Sequence, residues 1–537
     1  MDIDINARKK RGLRSVKKQD QKVALPKPAR LLAQIFLSEE QKLVLKMVCE
    51  QKRSIFFTGS AGTGKSVLLR EIIKNLHQKY GQYTDSVAIT ASTGLAACNI
   101  GGVTLHSFAG IGLGKDNVKV LFDKVKKNKK SYQRWLKAKV LIMDEISMVD
   151  AELLDKLEAL ARMIRKQEKP FGGIQLIVTG DFFQLPPVAE SGRLTKFAFE
   201  ATSWSKAIPE TICLTQVFRQ KDQEFVDMLN EMRLGQISQS SISKFRQLSR
   251  KLNHADGLEP TELFPTRREV GIANNRRMQS LPGRETVYTA TDRGTADEIQ
   301  LPKLLSNLMA QDVLVLKVDA QVMLIKNMDE TLVNGSLGKV KGFMSEITYA
   351  ILKDKNNLTD VAEVNVDEDS YVTDQAGNIM IADGLDELRS RQEKLMGKGL
   401  VAEMGKKWPL VRFTLTDGTH RDVLIRDETW AIEAPNGELL AERTQLPLIL
   451  AWALSIHKAQ GQTLERVKVD LTKVFENGQA YVALSRATSR DGLQVQNFQP
   501  NKVFAHSKVI NFYSSLRSVK SQQNEDEAFR EVTSGIN

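Results

Sequence analysis

The sequence contains the run Gly59-Ser60-Ala61-Gly62-Thr63-Gly64-Lys65-Ser66, which matches the pattern G-x-x-x-x-G-K-[ST] at every fixed position. A short apolar run at 54–58 precedes it, and residues 67–76 continue with a helical pattern. In this strand–loop–helix context, glycines let backbone N–H groups wrap phosphate oxygens at the positive end of a helix dipole. We therefore predict a loop that binds ATP and Mg²⁺, with Lys65 facing the β- and γ-phosphates and the Ser66 hydroxyl on the metal.

Three further apolar runs indicate buried strands of the same sheet. They cover Val87–Thr90, Val140–Met143 and Ile174–Val178. Short buried strands that alternate with helices are typical of an α/β fold with a doubly wound parallel sheet. Ligands of such sheets bind at the carboxyl ends of the strands, where this chain places its chemically active motifs.

Polar side chains at two of these strand ends predict hydrolysis. Asp144 and Glu145 follow four consecutive apolar residues, which argues against a solvated surface pair. We expect Asp144 to hold Mg²⁺ and Glu145 to polarise the attacking water. Gln184 lies in the loop after the next strand, where it is either a sensor of the γ-phosphate or an ordinary loop glutamine.

Phosphoryl transfer requires positive charge on the transferring group, beyond what the loop itself supplies. The candidates are Arg219, which ends the run Thr215–Arg219, and Arg486, which ends the run Tyr481–Arg486. Taken alone, an arginine in either place is more often solvated or salt-bridged.

Bulk composition narrows the class of protein. The 537 residues carry 77 Lys and Arg against 65 Asp and Glu, and the net charge of +12 favours a polyanionic partner such as nucleic acid. Three distant cysteines, Cys49, Cys98 and Cys213, argue for a reducing compartment and against a structural zinc site. No apolar run approaches the roughly 20 residues that span a bilayer, so we expect no membrane association.

Composition also changes along the chain. The charged leader at 1–36 reads as a disordered tail, with a nuclear import signal or a nucleic-acid arm as alternatives. Asp417-Gly418 and Asn436-Gly437 are hairpin-turn signals near strand-like runs such as 422–433, and strand character returns at 446–454. We predict a leader at 1–36, followed by a first α/β domain at 37–212 that contains a small basic insertion at 111–137. A second α/β domain covers 213–339 and 445–505, and a β-rich module at 340–444 is inserted into it; within this module 354–405 is loop-like, with one helix near 385–396. The chain continues with a C-terminal helix and a polar tail at 506–537.

The ordered motifs resemble those of a superfamily 1 helicase, and specifically the Pif family of superfamily 1B DNA helicases, in a fungal-type form. Two segments, Asp155–Arg162 and Phe171–Leu176, resemble this family's own signature, and the resemblance covers roughly 37–505. The matched motifs are the glutamine motif at Leu37–Gln41, motif I at Gly59–Ser66, motif Ia at Ala91–Ala97 with the next at Gly102–Gly110, motif II at Asp144–Met148, motif III at Gly180–Pro187, motif IV at Leu214–Arg219, motif V at Ser455–Thr463 and motif VI at Tyr481–Arg486.

The resemblance implies two RecA-like domains that clamp ATP between them, a wedge insertion at 111–137 and a β-barrel insertion at 340–444. It places Arg219 and Arg486 at the two arginine-finger positions and Gln41 at the adenine-reading position. A helix-capping role for Gln41 is compatible with that position. The nucleotide-binding residues that it implies are Gln41, Gly59, Ser60, Ala61, Gly62, Thr63, Gly64, Lys65, Ser66 and Gly461.

Motors of this kind combine backbone contacts with stacking platforms along a single strand. The residues expected on this track are Thr93, His106, Ser107 and Phe108 in the first domain and Thr266, Arg267, His457, Lys458 and Thr463 in the second. An ordinary capping or core role is the alternative for each, and for Phe108 the core is favoured. The lysine-rich run at 124–130 is either a solvated face or a duplex-facing surface.

The resemblance implies an ATP-dependent 5′-to-3′ DNA helicase of genome maintenance, in the nucleus, the mitochondrion or both. The partners that the resemblance implies are single-stranded DNA, single-strand/duplex junctions, forked DNA, RNA–DNA hybrids and G-quadruplexes. We expect a monomer in solution and leave dimerisation on DNA open. A translocase that unwinds little uses the same motor. A nucleotide-switched scaffold without turnover is the alternative of a different class, and the intact Lys65, Asp144 and Glu145 argue against it.

Overall fold

A computed structural model of the chain describes residues 36–81, 86–187, 196–252, 257–297, 300–306, 308–329, 331–346, 349, 406–415, 419–433, 439–476 and 478–516. The predicted leader up to residue 35, the helix near 385–396, the two hairpin turns and the polar tail after 516 lie outside the described residues. Among the residues that the structure does describe, no helix is long and apolar enough to cross a membrane.

Six parallel strands form the first sheet. They are β1 (Ile55–Gly59), β2 (Val87–Ala91), β3 (Val103–Thr104), β4 (Val140–Asp144), β5 (Gln175–Gly180) and β6 (Glu210–Leu214). The order β3-β2-β4-β5-β1-β6 places β1 between β5 and β6, parallel to both. The four strands predicted from apolar runs are confirmed. Strand β6 extends past the predicted domain end at 212, because its pairing with β1 continues to Leu214.

Helices cover both faces of this sheet. They are α1 (Glu39–Cys49), α2 (Lys65–Tyr80), α3 (Gly94–Asn99), α4 (Leu105–Ala109), α5 (Val118–Lys127), α6 (Lys129–Lys137), α7 (Ala151–Arg165) and α8 (Trp204–Ala207). Alternate residues of β4 enter two separate apolar clusters, because successive side chains of a strand point to opposite faces. Val140 and Ile142 pack in the cluster of α1 and α2, whereas Leu141 and Met143 pack in the cluster of α7. The predicted doubly wound layer is therefore confirmed.

The insertion at 111–137 folds as the pair α5 and α6 against α7. Asn117 and Asn128 cap the two helices with their side chains. Trp135 is fully buried and donates a hydrogen bond from Nε1 to the carbonyl of Ala109 (3.1 Å). The insertion thus extends the first core, while the lysines of 124–130 face solvent and leave both readings of that run open.

The remaining strands divide into one parallel and three antiparallel sheets. They are β7 (Thr261–Phe264), β8 (Thr286–Thr289), β9 (Thr291–Arg293), β10 (Val313–Leu316), β11 (Gln321–Leu324), β12 (Leu337–Met344), β13 (Trp408–Thr414), β14 (His420–Leu424), β15 (Glu428–Glu433), β16 (Leu439–Gln445), β17 (Leu448–Leu450), β18 (Ala453–Ser455), β19 (Val467–Asp470) and β20 (Leu493–Gln496). The remaining helices are α9 (Gln223–Leu234), α10 (Gln239–Gln247), α11 (Arg267–Ser280), α12 (Gln300–Leu305), α13 (Ile456–Ala459), α14 (Gln479–Leu484) and α15 (Ser507–Ser514). The parallel sheet, in the order β18-β7-β19-β20, is the centre of the second RecA-like domain.

The β-rich module begins earlier than predicted. Strand β11 pairs antiparallel with β12 and β17, and β9 pairs with β16, so these strands belong to the module. The assignment of residues 286–324 to the second α/β domain is therefore wrong, as is the end of the module at 444. The five-stranded sheet β14-β13-β12-β11-β17 continues to Leu450, and the α/β domain resumes at Ala453.

Two predicted strand runs are each split between sheets. The run at 422–433 divides into β14 and β15, and the run at 446–454 divides into β17 and β18. In the second case both halves are buried, so the apolar pattern does not mark the break. The predicted hairpins are confirmed as antiparallel pairs of β13 with β14 and of β15 with β16.

Helix α15 returns to the first domain. Val509 is buried in the apolar cluster that also contains Phe56 and Trp204. The predicted C-terminal segment is therefore not separate over α15, because this helix packs against the core of the first domain.

Candidate functional site

The glycine loop connects β1 to α2, as its sequence predicted. Gly62 (φ 89°) and Gly64 (φ 77°) adopt left-handed backbone conformations that favour glycine. A Cβ at Gly62 would lie 2.8 Å from Cβ of Arg219, so the loop and motif IV pack too closely for a larger residue. The amide of Phe218 also donates to the Gly62 carbonyl (2.8 Å).

Lys65 lies at the centre of this loop. Its Nζ donates to the carbonyl oxygens of Gly59 (2.7 Å) and Ser60 (3.0 Å). Burial lowers the pKa of Lys65 to about 8, against the opposing charges of Asp181 and Glu145. The ammonium thus faces loop oxygens in a half-buried position.

The acidic pair lies at the carboxyl end of β4. The amide of Glu145 donates to Oδ1 of Asp144 (2.8 Å), and Glu145 has a left-handed backbone (φ 52°). Burial, and secondly the charge of Glu145, raise the pKa of Asp144 to about 7. Both residues line one cavity of about 440 Å³ together with Ser66, so the predicted metal ligands lie at the same cavity.

Gln41 has the capping role and also contacts the glycine loop. It forms a capping box with Ser38 at the start of α1, which confirms the capping role. Its Nε2 also donates to the carbonyl of Thr63 in the glycine loop (3.2 Å). The adenine-reading role stays a prediction.

Motif III follows β5. Asp181 is fully buried and forms a two-pronged ion pair with Arg233 of α9, with Nη2 and Oδ1 2.8 Å apart. Gln184 is also buried, and no group among the described residues contacts its Oε1 by a hydrogen bond. An unpaired buried amide oxygen is costly, which marks Gln184 as a polar group without its partner.

The two predicted arginines lie together. Nη1 of Arg219 donates to the Ser485 carbonyl (3.0 Å), and Nη2 of Arg486 donates to the Ser485 hydroxyl (3.0 Å). Burial, and then the charge of Arg486, lower the pKa of Arg219 to about 9, and burial also lowers the pKa of Arg486. Two cations from distant parts of the sequence thus both bind Ser485, beside the glycine loop.

Two contacts between the domains were missed by sequence reasoning. The amide of Ala61 donates to the Tyr481 hydroxyl (2.7 Å), and Nε2 of Gln460 donates to Oε2 of Glu145 (2.9 Å). Both Tyr481 and Gln460 belong to matched motifs, which was the available signal, although neither had been singled out.

The predicted nucleic-acid residues fall into two groups. Thr93, Arg267, His457 and Lys458, with Gly461, line the same 440 Å³ cavity as the acidic pair. His106, Ser107, Phe108, Thr266 and Thr463 are not among the residues lining that cavity. Phe108 is buried against Trp135, with ring centroids 5.0 Å apart, so the core alternative is correct for it. Thr266 caps α11, and its place on the track stays a prediction, as it does for the other three.

The fold and the site define a class: a protein in which two RecA-like domains meet at a phosphate-binding loop of the kind that binds nucleoside triphosphates. Residues 36–243 match the family model of the PIF1-like helicase, and residues 301–343 match that of the DNA helicase Pif1 2B domain. The chain belongs to the PIF1-like helicase family.

Similar proteins agree with this assignment. The ATP-dependent DNA helicase PIF1 of Emericella nidulans is 58% identical over 91% of this chain and 64% of its own length. The crystal structure of Pif1 helicase from Candida albicans has a TM-score of 0.67 at 49% identity and covers 90% of this chain and 100% of that one. The Pif1 helicase from Bacteroides, in complex with ADP-AlF3 and ssDNA, has a TM-score of 0.54 at 25% identity and covers 90% of this chain and 97% of that one. The chain spans 64% of the length of the first of these relatives. The fungal relatives confirm the fungal-type resemblance.

Proposed function

We propose that this chain is an ATP-dependent DNA helicase that moves 5′-to-3′ along single-stranded DNA. The observation that carries the proposal is the single cavity that Ser66, Asp144 and Glu145 share with Arg267 and Lys458. Hydrolytic groups and cationic groups suited to a phosphate backbone thus line one space. The relatives named as ATP-dependent DNA helicases, and the Bacteroides complex with ADP-AlF3 and ssDNA, support the same activity.

The residues present fit ATP and Mg²⁺. The ammonium of Lys65 and the amide of Ala61 bind protein oxygens that phosphate oxygens can replace. Ser66 and Asp144 would hold Mg²⁺, which neutralises phosphate charge when bound. Among the described residues no group of three or more His, Cys, Asp or Glu could hold a metal ion.

Hydrolysis would be coupled to movement through groups from both domains. Glu145 orients the attacking water, and Gln460 holds that carboxylate from motif V. Arg219 and Arg486 stabilise the charge that develops on the transferring group. Because the second domain supplies Arg486, ATP binding favours closure of the cleft and loss of phosphate favours its opening. One domain then slides along the strand in each cycle.

The range of substrates is part of the proposal. The family resemblance supports unwinding of duplexes, forked DNA, RNA–DNA hybrids and G-quadruplexes in genome maintenance. Residence in the nucleus or the mitochondrion stays a prediction, as does a monomeric state with dimerisation on DNA left open.

The test measures ATP turnover with and without single-stranded DNA, beside strand separation from duplexes with a 5′ or a 3′ tail. We expect DNA to stimulate turnover and only the 5′-tailed duplex to open. An ATP turnover rate that does not change with DNA would refute the motor hypothesis. Stimulation by DNA without strand separation would favour the translocase hypothesis. Opening from the 3′ tail would overturn the direction, and a quadruplex measured beside the duplex tests the substrate range.

A further inference from the structure

The C-terminal helix α15 contributes an aromatic pair to the first domain. Phe512 stacks on Phe199, with ring centroids 4.3 Å apart and planes at 8°. It also packs near Phe182, a motif III residue, at 5.6 Å. The helix therefore packs against the segment that carries Gln184, although it follows the second domain in the chain.

The next residue, Tyr513, brings a hydroxyl group to the same place. Its oxygen lies 2.6 Å from Oγ1 of Thr58, 3.2 Å from the amide of Phe182 and 3.3 Å from Oδ1 of Asp181. A phenol has one proton, which goes to the carboxylate, so Thr58 and Phe182 donate to the phenol oxygen. Burial raises the pKa of Tyr513, so the phenol stays neutral and keeps that proton.

A second set of contacts fixes the ring of Tyr513. The guanidinium of Arg233 lies over the rings of Phe183 (4.4 Å to the centroid) and Tyr513 (4.9 Å) while it pairs with Asp181. Cation–π contacts of this kind are strongest where water is excluded, and Asp181 is fully buried. The phenol therefore has little freedom to move away from motif III.

The position of this hydroxyl connects two parts of the nucleotide site. Thr58 immediately precedes Gly59, the first residue of the glycine loop, and Asp181 and Phe182 precede Gln184 by two or three residues. We propose that Tyr513 is a positioning residue for ATP hydrolysis, which sets the spacing between the glycine loop and motif III. This rests on the proposed ATPase function, and it makes the C-terminal helix part of the catalytic apparatus.

The test is Tyr513→Phe in the full chain, which removes one oxygen and keeps the ring. We expect the DNA-stimulated kcat to fall by about 3- to 10-fold, the size of effect that one hydrogen bond supports. The KM for ATP and the affinity for single-stranded DNA should stay within about twofold, because the binding groups are intact.

The matched control is Tyr288→Phe, which removes another buried hydroxyl, bonded to the Lys407 carbonyl (2.9 Å) in the β-rich module. It should leave kcat unchanged while its thermal unfolding shifts by a similar amount. An unchanged kcat in Tyr513→Phe, or an equal loss in the control, would overturn the proposal. If the unmodified chain shows no ATP turnover, the proposed function fails instead, before any variant is compared.

A second variant tests the coupling without disturbing the helix. Thr58→Val should lower kcat to a similar extent. The kcat of the double variant with Tyr513→Phe should be no lower than that of the more impaired single variant. Losses that multiply in the double variant would show independent effects and contradict a shared hydrogen-bond centre.

Discussion

Lys65 is the residue whose removal should have the largest effect. In Lys65→Ala the loop loses the ammonium that binds the carbonyl oxygens of Gly59 and Ser60. We expect ATP turnover to fall at least about 100-fold while part of the DNA binding remains, because the track residues are untouched. Turnover assays and fluorescence anisotropy with labelled single-stranded DNA measure the two effects, and near-normal turnover would refute the assignment.

Arg486 should act on the rate rather than on nucleotide affinity. Arg486→Ala is expected to lower kcat on the order of 10³-fold, with a much smaller change in the Kd of a non-hydrolysable ATP analogue. Arg490→Ala is the control, because that side chain is a third exposed and pairs with Asp222 on the surface (2.6 Å). Equal loss in rate and affinity would make Arg486 a binding residue.

Gln460 should affect the rate of hydrolysis through Glu145, whose carboxylate it binds. Gln460→Ala removes the 2.9 Å hydrogen bond to Glu145, and we expect kcat to fall about 3- to 10-fold at unchanged KM for ATP. Gln462→Ala changes a buried glutamine of the same motif that contacts Met309 instead, and it should change kcat less than about twofold. Similar kinetics for the two variants would show that the contact with Glu145 has no catalytic role.

The sequence predicted those site residues whose geometry is local. Lys65 and Asp144 could be found because each follows a strand whose apolar run is visible in the sequence. The contacts of Tyr481 with Ala61 and of Gln460 with Glu145 join residues more than 300 positions apart, so no spacing pattern reveals them.

Among the elements, helix α6 gives the clearest stability prediction. Trp135 is fully buried and bonded to Ala109, so Trp135→Ala should cost about 3–5 kcal/mol of the free energy of unfolding. The neighbouring Leu136 is 40% exposed, so Leu136→Ala should cost less than about 1 kcal/mol. Denaturant titration measures both, and equal costs would mean that the insertion is not part of the first core.

Elements were predictable where turn chemistry or strand flanks are distinctive. The hairpins of the β-rich module carry Asp-Gly and Asn-Gly signals, and their strand pairs are present. The start of the module was missed because β9 is polar and exposed, whereas β10 and β11 are short apolar runs that look the same in parallel and antiparallel sheets. Only their partners distinguish them: β11 pairs with β12 and β17, not with β7.

At the scale of the whole molecule, the proposed DNA and ATP sites line one cavity but should respond to different changes. Arg267→Ala removes a cation that lines the cavity, so we expect weaker binding of single-stranded DNA and a salt slope smaller by about 0.7. The KM for ATP without DNA should not change. Arg268→Ala, its exposed neighbour, is not among the residues lining the cavity and serves as the control. An unchanged salt slope for Arg267→Ala would remove that residue from the track.

The return of α15 to the first domain affects how the protein is made. Strand β6 completes the first sheet at Leu214, but the aromatic core beside it still lacks Phe512. Roughly 300 more residues must leave the ribosome first, which takes about 15–60 s at ~5–20 residues per second. During that interval Phe56 and Trp204 lack one of their partners. The nascent first domain should therefore be a substrate for chaperones until α15 has been synthesised and has packed against it.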